Sequence, residues 1–405
     1  MSDRGDLLST TSPFEAARTA LAQAYTVEQA PDGDLVIRDG LEKIVSRLSV
    51  QAAPGLGWWV KLRPLRGYEG DGERIEWLLT QQAFTPAEEW SSIRVPMRAG
   101  ERADVVVARV LLRLREVQDQ NLAGTLSGDD IEYLHDYRVS IRRTRSVLRE
   151  MKRVFTPADL ERVRASFKWL QDQTSATRDL DVYLHEFDEL RALAPEAMRA
   201  DLDPLRELLS ARRQRARAYM EQALGSERAR TLHAEWGEIL QVLVLEDETE
   251  RPDAPRTIAE VASARILKVH RRMVKMGRAI TTDSRPEQYH ELRKKGKELR
   301  YLLELFAAPL FDPEVVRPMI RALKGLQDVL GRHQDREVQT EMLREIGVEL
   351  VGGVGGTESA HALMAIGALI VRLEADAATA RGQFAASFEE FASEAQCKLV
   401  AEAFS

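Results

Sequence analysis

Cysteine and aromatic residues are scarce in this sequence. Of its 405 residues, Cys397 is the single cysteine and 6% are aromatic. One cysteine excludes a disulfide framework and any zinc site built from several thiolates, and it is typical of a reducing compartment. Glycine (24) and proline (15) together make up fewer than a tenth of the residues. This low content argues against a disordered or fibrous protein.

Long apolar segments are missing as well. No apolar run approaches the roughly 18 residues that a membrane span needs, and residues 1–20 lack the continuous apolar stretch of a signal peptide. We therefore expect a cytoplasmic protein. The length predicts two or three domains with cores large enough to need no disulfide or structural metal.

The charge is unevenly distributed along the chain. With 58 basic and 65 acidic residues the formal net charge is −7, which would disfavour a polyanionic ligand if it were evenly spread. Several helical segments carry many cations and few acids, however. The local distribution therefore says more about a ligand than the net charge does.

Residues 1–95 differ in composition from the rest. A helical pattern at 13–24 precedes three segments of β-like composition, at 34–38, 57–63 and 74–79, which are separated by glycine and proline. This pattern predicts a small α+β accessory module.

From residue 98 the pattern is helical, so the fold class predicted for the whole chain is mainly α. A polar, proline-bearing stretch at 246–255 is typical of a linker, and a glycine-rich interruption lies at 352–356. The linker divides this region into halves at 98–250 and 256–402. Each half is predicted to hold six helices: 98–122, 129–154, 157–173, 178–191, 195–223 and 227–245, then 256–280, 286–307, 314–330, 334–347, 357–374 and 377–402.

The two halves are copies of one helical unit. At an offset of 155 residues, histidine, cationic and leucine positions coincide, and residues 168–172 (KWLQD) match 324–328 (KGLQD) at an offset of 156. The matching pairs are His135 with His290, Arg138 with Arg293, Arg142 with Lys297, Arg145 with Arg300 and Leu148 with Leu303.

In each copy the cations share one side of a helix with the histidine, and the apolar residues share the neighbouring side. Guanidinium groups one helical turn apart repel each other by some tenths of a kcal/mol, and a bridging anion would remove this cost. Arginine can bind phosphate in bidentate fashion, and lysine supplies a point charge. Residues 265–278 and 212–217 (RRQRAR) add further cations.

Alternative interpretations exist for these residues. A cationic helix face is often simply solvated, but two copies in the same register favour anion binding. The histidines either anchor the anion or pack at the helix start. His135-Asp136 is similar to a metal-binding dipeptide of phosphohydrolases, yet the second copy has His290-Glu291 and the chain has seven histidines in all. We therefore expect no metal, no other cofactor and no catalytic residues.

Residues 135–145 (HDYRVSIRRTR), 178–181 (RDLD) and 290–301 (HELRKKGKELRY) resemble the CHAD family, the conserved histidine α-helical domain. The resemblance extends over 98–402. It implies two pseudo-symmetric halves, each similar to a four-helix bundle, which enclose a basic pore or groove that binds inorganic polyphosphate. Family members are similar in serving as polyphosphate-binding or granule-targeting modules without established catalysis.

The resemblance assigns twelve polyphosphate-binding candidates to this sequence. They are His135, Arg138, Arg142, Arg145, Lys168, Arg178, Arg272, His290, Arg293, Lys297, Arg300 and Lys324. The sequence departs from the family pattern at Gly296, within a predicted helix, and at 332–335 (RHQD), which replaces a close copy of 178–181. Loop contacts in the second half are therefore less certain.

The N-terminal module resembles a fragment of the CYTH family at 57–63 and 74–76. It lacks the Glu-x-Glu-x-Lys strand whose carboxylates hold metal in CYTH enzymes, so we interpret it as a degenerate module without catalysis. The predicted function of the chain is polyphosphate binding, for granule targeting or regulation. The alternative is a metal-dependent phosphohydrolase acting on polyphosphate or triphosphate. Nucleic acid is a less suitable ligand because few aromatic residues are available for base stacking.

Overall fold

The structure, a computed structural model, describes residues 13–30, 34–53, 57–65, 68–80, 95–245, 249–281, 283–353 and 357–404. The chain divides into two units, Met1–Ser92 and Ile93–Ser405. Parts of the two predicted interruptions, residues 246–248 and 354–356, lie outside the described residues.

The N-terminal unit is a four-stranded antiparallel sheet with two helices. Its strands follow one another in sequence order, β1-β2-β3-β4, and pair as a meander. The elements are α1 (Pro13–Leu21), β1 (Thr26–Gln29), β2 (Leu35–Arg38), β3 (Ile44–Ala53), β4 (Gly57–Pro64) and α2 (Glu69–Thr80).

The β-like interpretation of 74–79 is wrong, because these residues lie in α2. Ile75 and Leu79 are four positions apart and therefore share one helix face, which is buried against Leu21 and the sheet residues Leu35 and Leu48. Trp77 lies on the exposed side. The short apolar run fits a strand and a helix equally well, and tertiary packing decides between them.

The second unit is helical throughout its described residues, and the mainly-α prediction is confirmed. Its helices are α3 (Ala103–Ser127), α4 (Ile131–Glu150), α5 (Pro157–His185), α6 (Phe187–Ala192), α7 (Asp203–Leu224), α8 (Glu227–Val242), α9 (Ile258–Arg278), α10 (Pro286–Leu302), α11 (Ala308–Leu310), α12 (Pro313–Gly353), α13 (Thr357–Phe391) and α14 (Glu394–Ala403). None of the described helices combines the length and the apolar composition that a membrane crossing requires.

The prediction of six helices in each half is wrong, because three predicted breaks do not exist. Helices α5, α12 and α13 are each continuous where the sequence predicted two helices. In α5 the predicted break at 174–177 begins with the polar residues Thr174 and Ser175. Their hydroxyls instead donate to the carbonyl oxygens of Leu170 and Gln171 within the helix, at 3.2 and 2.9 Å.

The starts of the long helices follow from capping chemistry. The side chain of Thr156 accepts a hydrogen bond from the Asp159 backbone N–H at 3.2 Å, and Pro157 opens α5. Asp312 accepts in the same way from the Glu314 N–H at 2.9 Å, ahead of Pro313 in α12. Both prolines occupy positions whose backbone nitrogen needs no partner within the helix.

The segment interpreted as a linker is docked into the protein where it is described. Arg251 is fully buried and donates to the Leu243 carbonyl oxygen at 2.6 Å. The backbone N–H groups of Ala103 and Asp104, at the start of α3, donate to the carbonyl oxygens of Arg256 and Ala254. These contacts tie the start of the second half to the first helix of the unit.

Buried side chains of both halves form continuous cores. One cluster combines residues of α3, α4, α5 and α8 with residues of α9, α10, α12, α13 and α14, among them Tyr137, Trp236 and Phe306. A second cluster lies between α5, α6 and α7 of the first half and α12 and α13 of the second. The helices that carry the cationic rows are therefore held in place by packing from both halves.

Candidate anion-binding site

Helix α4 carries His135 and the first cationic row, which consists of Arg138, Arg142 and Arg145. Helix α10 carries His290 and the second cationic row, which consists of Arg293, Lys297 and Arg300. Asp130 caps α4 by accepting from the Glu132 N–H at 2.9 Å. The apolar face of α4, including Ile141 and Leu148, is buried, as is that of α10 with Leu292 and Leu299. Burial of these faces fixes the rotation of each helix and leaves its cationic row on the neighbouring side.

Arg138 is held deepest of the cations predicted to bind. Its side chain is buried, and its Nη1 donates to Thr174 Oγ1 at 2.6 Å, to the Gln171 carbonyl oxygen at 3.0 Å and to Ser175 Oγ at 3.2 Å. Burial, the largest effect, lowers the pKa of Arg138 to about 10, and the neighbouring guanidiniums of Arg142 and Arg178 also lower it. All three acceptors are neutral, so Arg138 keeps its positive charge uncompensated by these bonds.

The two rows meet at Arg142 and Lys297. Burial lowers the pKa of Lys297 to about 8, and the positive charges of Arg293 and Arg142 lower it further. Arg142 belongs to the first row, and because its charge lowers the pKa of Lys297, it lies close to this residue of the second row. Arg142 Nε is buried and has no hydrogen-bond partner. The structure thus brings two like charges from different halves together in a partly desolvated place.

The two histidines occupy equivalent positions but have different partners. Arg178 donates from Nη2 to His135 Nδ1 at 2.9 Å, which fixes Nδ1 of His135 as an acceptor. Gln334 Oε1 lies 2.7 Å from His290 Nδ1, which is therefore the donor in that bond. Arg178 and Gln334 are themselves equivalent at the offset of 156. A packed structural role and an anchoring role at the site remain compatible with both arrangements.

The remaining predicted residues differ in their surroundings. Arg145 donates to Gln171 Oε1, Arg293 lies 3.3 Å from Asp335, and Arg300 is paired with Glu304. Lys168 is exposed and bonds Asp172 on its own helix at 2.6 Å. Arg272 and Lys324 are exposed, on α9 and α12. The role of Lys168, Arg272 and Lys324 in binding stays a prediction.

Residues 178–181 and 332–335, treated as loops in the sequence, lie within α5 and α12. Because these helices are continuous, Arg178 and Gln334 project from rigid elements beside the histidines. Desolvation raises the pKa of Asp179, and the positive charges of Arg138, Arg178 and Arg142 act in the opposite direction. Asp179 in the first half and Asp335 in the second are thus carboxylates whose charge acts on the cationic rows.

Sequence reasoning missed two groups of residues. The neutral acceptors Gln171, Thr174 and Ser175 orient Arg138 and Arg145, and their position one helix away gives no local signal. The buried acids Glu150, Glu298 and Glu304 bind cations at the C-terminal ends of both rows. Glu304 could have been found from its spacing of four residues after Arg300.

Several cations of the basic segments outside the rows are paired with acids. Arg213 donates to the buried Asp181, and Arg212 is paired with Glu349. Arg265 bonds the buried Glu150 at 2.6 Å. Among the described residues there is no group of three or more histidine, cysteine, aspartate or glutamate side chains that could hold a metal ion.

Comparison with known proteins is consistent with this geometry. The sequence profile of the CHAD domain matches residues 108–344. An uncharacterized protein, Rv2226 of Mycobacterium tuberculosis H37Rv, is 29% identical over 232 residues, which are 53% of this chain and 40% of that protein. A second, MT2285 of strain CDC 1551, is 28% identical over the same lengths. The matched region thus spans less than half of these relatives.

Two solved structures share the fold. The CHAD domain from the plant Ricinus communis is 23% identical, with a TM-score of 0.61 over 75% of this chain and 97% of that one. PptA from Streptomyces chartreusis is 18% identical, with a TM-score of 0.53 over 71% of this chain and 100% of that one. Since the profile match includes more than half of the sequence and both histidine helices, this chain belongs to the CHAD domain family.

Proposed function

We propose that this protein binds inorganic polyphosphate along the cationic rows of α4 and α10, and that it binds without turnover. The observation that carries the proposal is the meeting of Arg142 and Lys297 from opposite halves, in a partly buried place where neither forms an ion pair with an acid among the described residues and the charge of Asp335 offsets the repulsion at Lys297 only in part. Two like charges in such a place are unfavourable until an anion lies between them. Membership of the CHAD family supports the choice of polyphosphate.

The arrangement favours a long, thin polyanion. His135 and Arg142 are seven residues apart on α4, about 10 Å along a helix, and the same spacing separates His290 from Lys297. A ligand that contacts the whole of either row must therefore extend well beyond one or two phosphate groups. Association with polyphosphate granules is the cellular role that we propose for such binding.

Titration with polyphosphates of increasing chain length tests the proposal. We expect affinity to increase with chain length until the ligand contacts both rows, because each added contact is made within the same complex. Arg142→Gln should weaken binding of long chains about tenfold, the effect of roughly one charge-assisted contact. Isothermal titration calorimetry would measure both effects.

Arg162→Gln is a matched control. Arg162 is an exposed arginine of α5 that is paired with Asp159 at 2.8 Å, so its loss changes the net charge equally but should leave affinity unchanged. Equal affinity for pyrophosphate and for long chains, or equal weakening by the two substitutions, would contradict the proposal.

A further inference from the structure

The contact between α4 and α10 contains two ion pairs that are related by the internal repeat. Arg143 of α4 donates to Glu304 of α10 at 2.9 Å, and Arg149 of α4 lies 3.3 Å from Glu298 of α10. At the offset of 155, Arg143 is equivalent to Glu298 and Arg149 to Glu304. Exchanging the two halves therefore converts each ion pair into the other.

This reciprocity is the geometry of a twofold-symmetric contact, in which the same two positions meet on both sides. The residues at these positions are not the same, however. Both are arginine in the first half and both are glutamate in the second. The positions have retained their contacts and carry opposite charges.

Burial makes the signs of these charges important. The side chains of Arg143, Glu304 and Glu298 are less than a tenth exposed, whereas Arg149 is about half exposed. Glu304 also binds Arg300, Glu298 binds Lys295, and Arg149 binds the buried Glu150. A buried charge that faces a like charge at these positions would lack a partner, and this is strongly destabilising.

Two identical halves could not form this contact favourably. Two copies of α4 would place Arg143 opposite Arg149 twice, and two copies of α10 would place Glu298 opposite Glu304 twice. Each arrangement gathers four like charges in a largely buried interface.

We propose that Arg143, Arg149, Glu298 and Glu304 form a recognition surface that makes each half fit the other half of the chain and reject a second copy of itself. The surface fixes the crossing of α4 and α10 and with it the convergence of the cationic rows. It acts whether or not polyphosphate is the ligand, so it stands independently of the proposed function.

Reversing the charges in the intact chain tests this surface. R143E/R149E gives both halves the acidic set, and E298R/E304R gives both halves the basic set. Both double variants should unfold at a markedly lower temperature than the wild type. The quadruple variant, R143E/R149E/E298R/E304R, exchanges the two sets and should be more stable than either double variant, measured by circular dichroism during heating. It should not reach the wild type, because Arg300, Lys295 and Glu150 then face like charges.

The control is R162E/R372E, which changes net charge as R143E/R149E does but at exposed positions paired within their own helices. We expect it to unfold close to the wild type. A quadruple variant no more stable than the two double variants would overturn the proposal. So would an E298R/E304R variant, with arginine at all four positions, that is as stable as the wild type.

Milder changes keep the test decisive if the double variants do not fold. Arg149 is the most exposed of the four, so R149E, E298R and R149E/E298R form a cycle with smaller effects. We expect each single variant to lower the unfolding midpoint and the double variant to be more stable than either. Additive losses in this cycle would show that the two residues do not recognise each other.

Discussion

Lys297 is the residue at which burial and positive neighbours act together against its own charge. Its pKa is lowered to about 8 by desolvation and by Arg293 and Arg142. An anion binds best when this ammonium is charged, so polyphosphate affinity should be full below about pH 7 and decrease as the pH rises from about 7 to 9. Above its pKa, binding requires uptake of a proton. Long-chain polyphosphate titrated at constant ionic strength would measure this dependence.

The control for the pH dependence is Lys297→Arg, which stays charged throughout this range. Arg138, with a pKa of about 10, also stays mostly charged between pH 7 and 9. We therefore expect a flat profile for the variant. A wild-type profile as flat as that of Lys297→Arg would show that Lys297 does not contact the ligand.

The sequence was sufficient to find the two rows but not to say which cations have partners. The repeated register of His135 and His290 located α4 and α10, because helical periodicity is a local property. The buried acids Glu298 and Glu304 reach Arg149 and Arg143 from the other half of the chain. Such contacts depend on how two helices cross, which no local pattern records.

At the scale of elements, the connection between the halves shows how composition can mislead. A polar segment with prolines predicted a linker, yet Arg251 is fully buried among carbonyl oxygens and lies 3.8 Å from the buried Asp104. The helix break predicted within α5 was wrong for a related reason. Thr174 and Ser175 satisfy their hydrogen bonds within the helix, which continues through them.

Removal of Arg251 should therefore destabilise the whole helical unit. Arg251→Ala removes the buried cation beside Asp104 and the donor to the carbonyl oxygens of Val154 and Leu243. We therefore expect a loss of about 3 kcal/mol in the free energy of unfolding. Urea denaturation would measure it. Arg102→Ala is the matched control, because Arg102 binds the same carboxylate at 2.7 Å from a side chain that is 43% exposed. That variant should lose less than about 1 kcal/mol, and equal losses would contradict the structural role given to Arg251.

For the whole molecule, net charge and ligand preference point in opposite directions. The formal net charge is −7, yet the proposed ligand is a polyanion. The structure reconciles the two, because many basic residues outside the rows are paired with acids, as Arg213 is with Asp181. In the proposed complex the ligand is attracted by the cations along α4 and α10, whose charge nearby acids compensate only in part, and the effect is local.

This view predicts how binding depends on salt. Each cation that neutralises a phosphate releases about one counterion, so Arg142→Gln and Arg293→Gln should each reduce the slope of log affinity against log salt by roughly one. The double variant should lose roughly two for long polyphosphate, since a long chain contacts both rows at once. Pyrophosphate is too short to extend along a row, so its slope should be shallower than that of long polyphosphate already in the wild type. If the slope for long chains were unchanged in the double variant, the ligand would not lie along these rows, and the convergence of Arg142 with Lys297 would have a purely internal explanation.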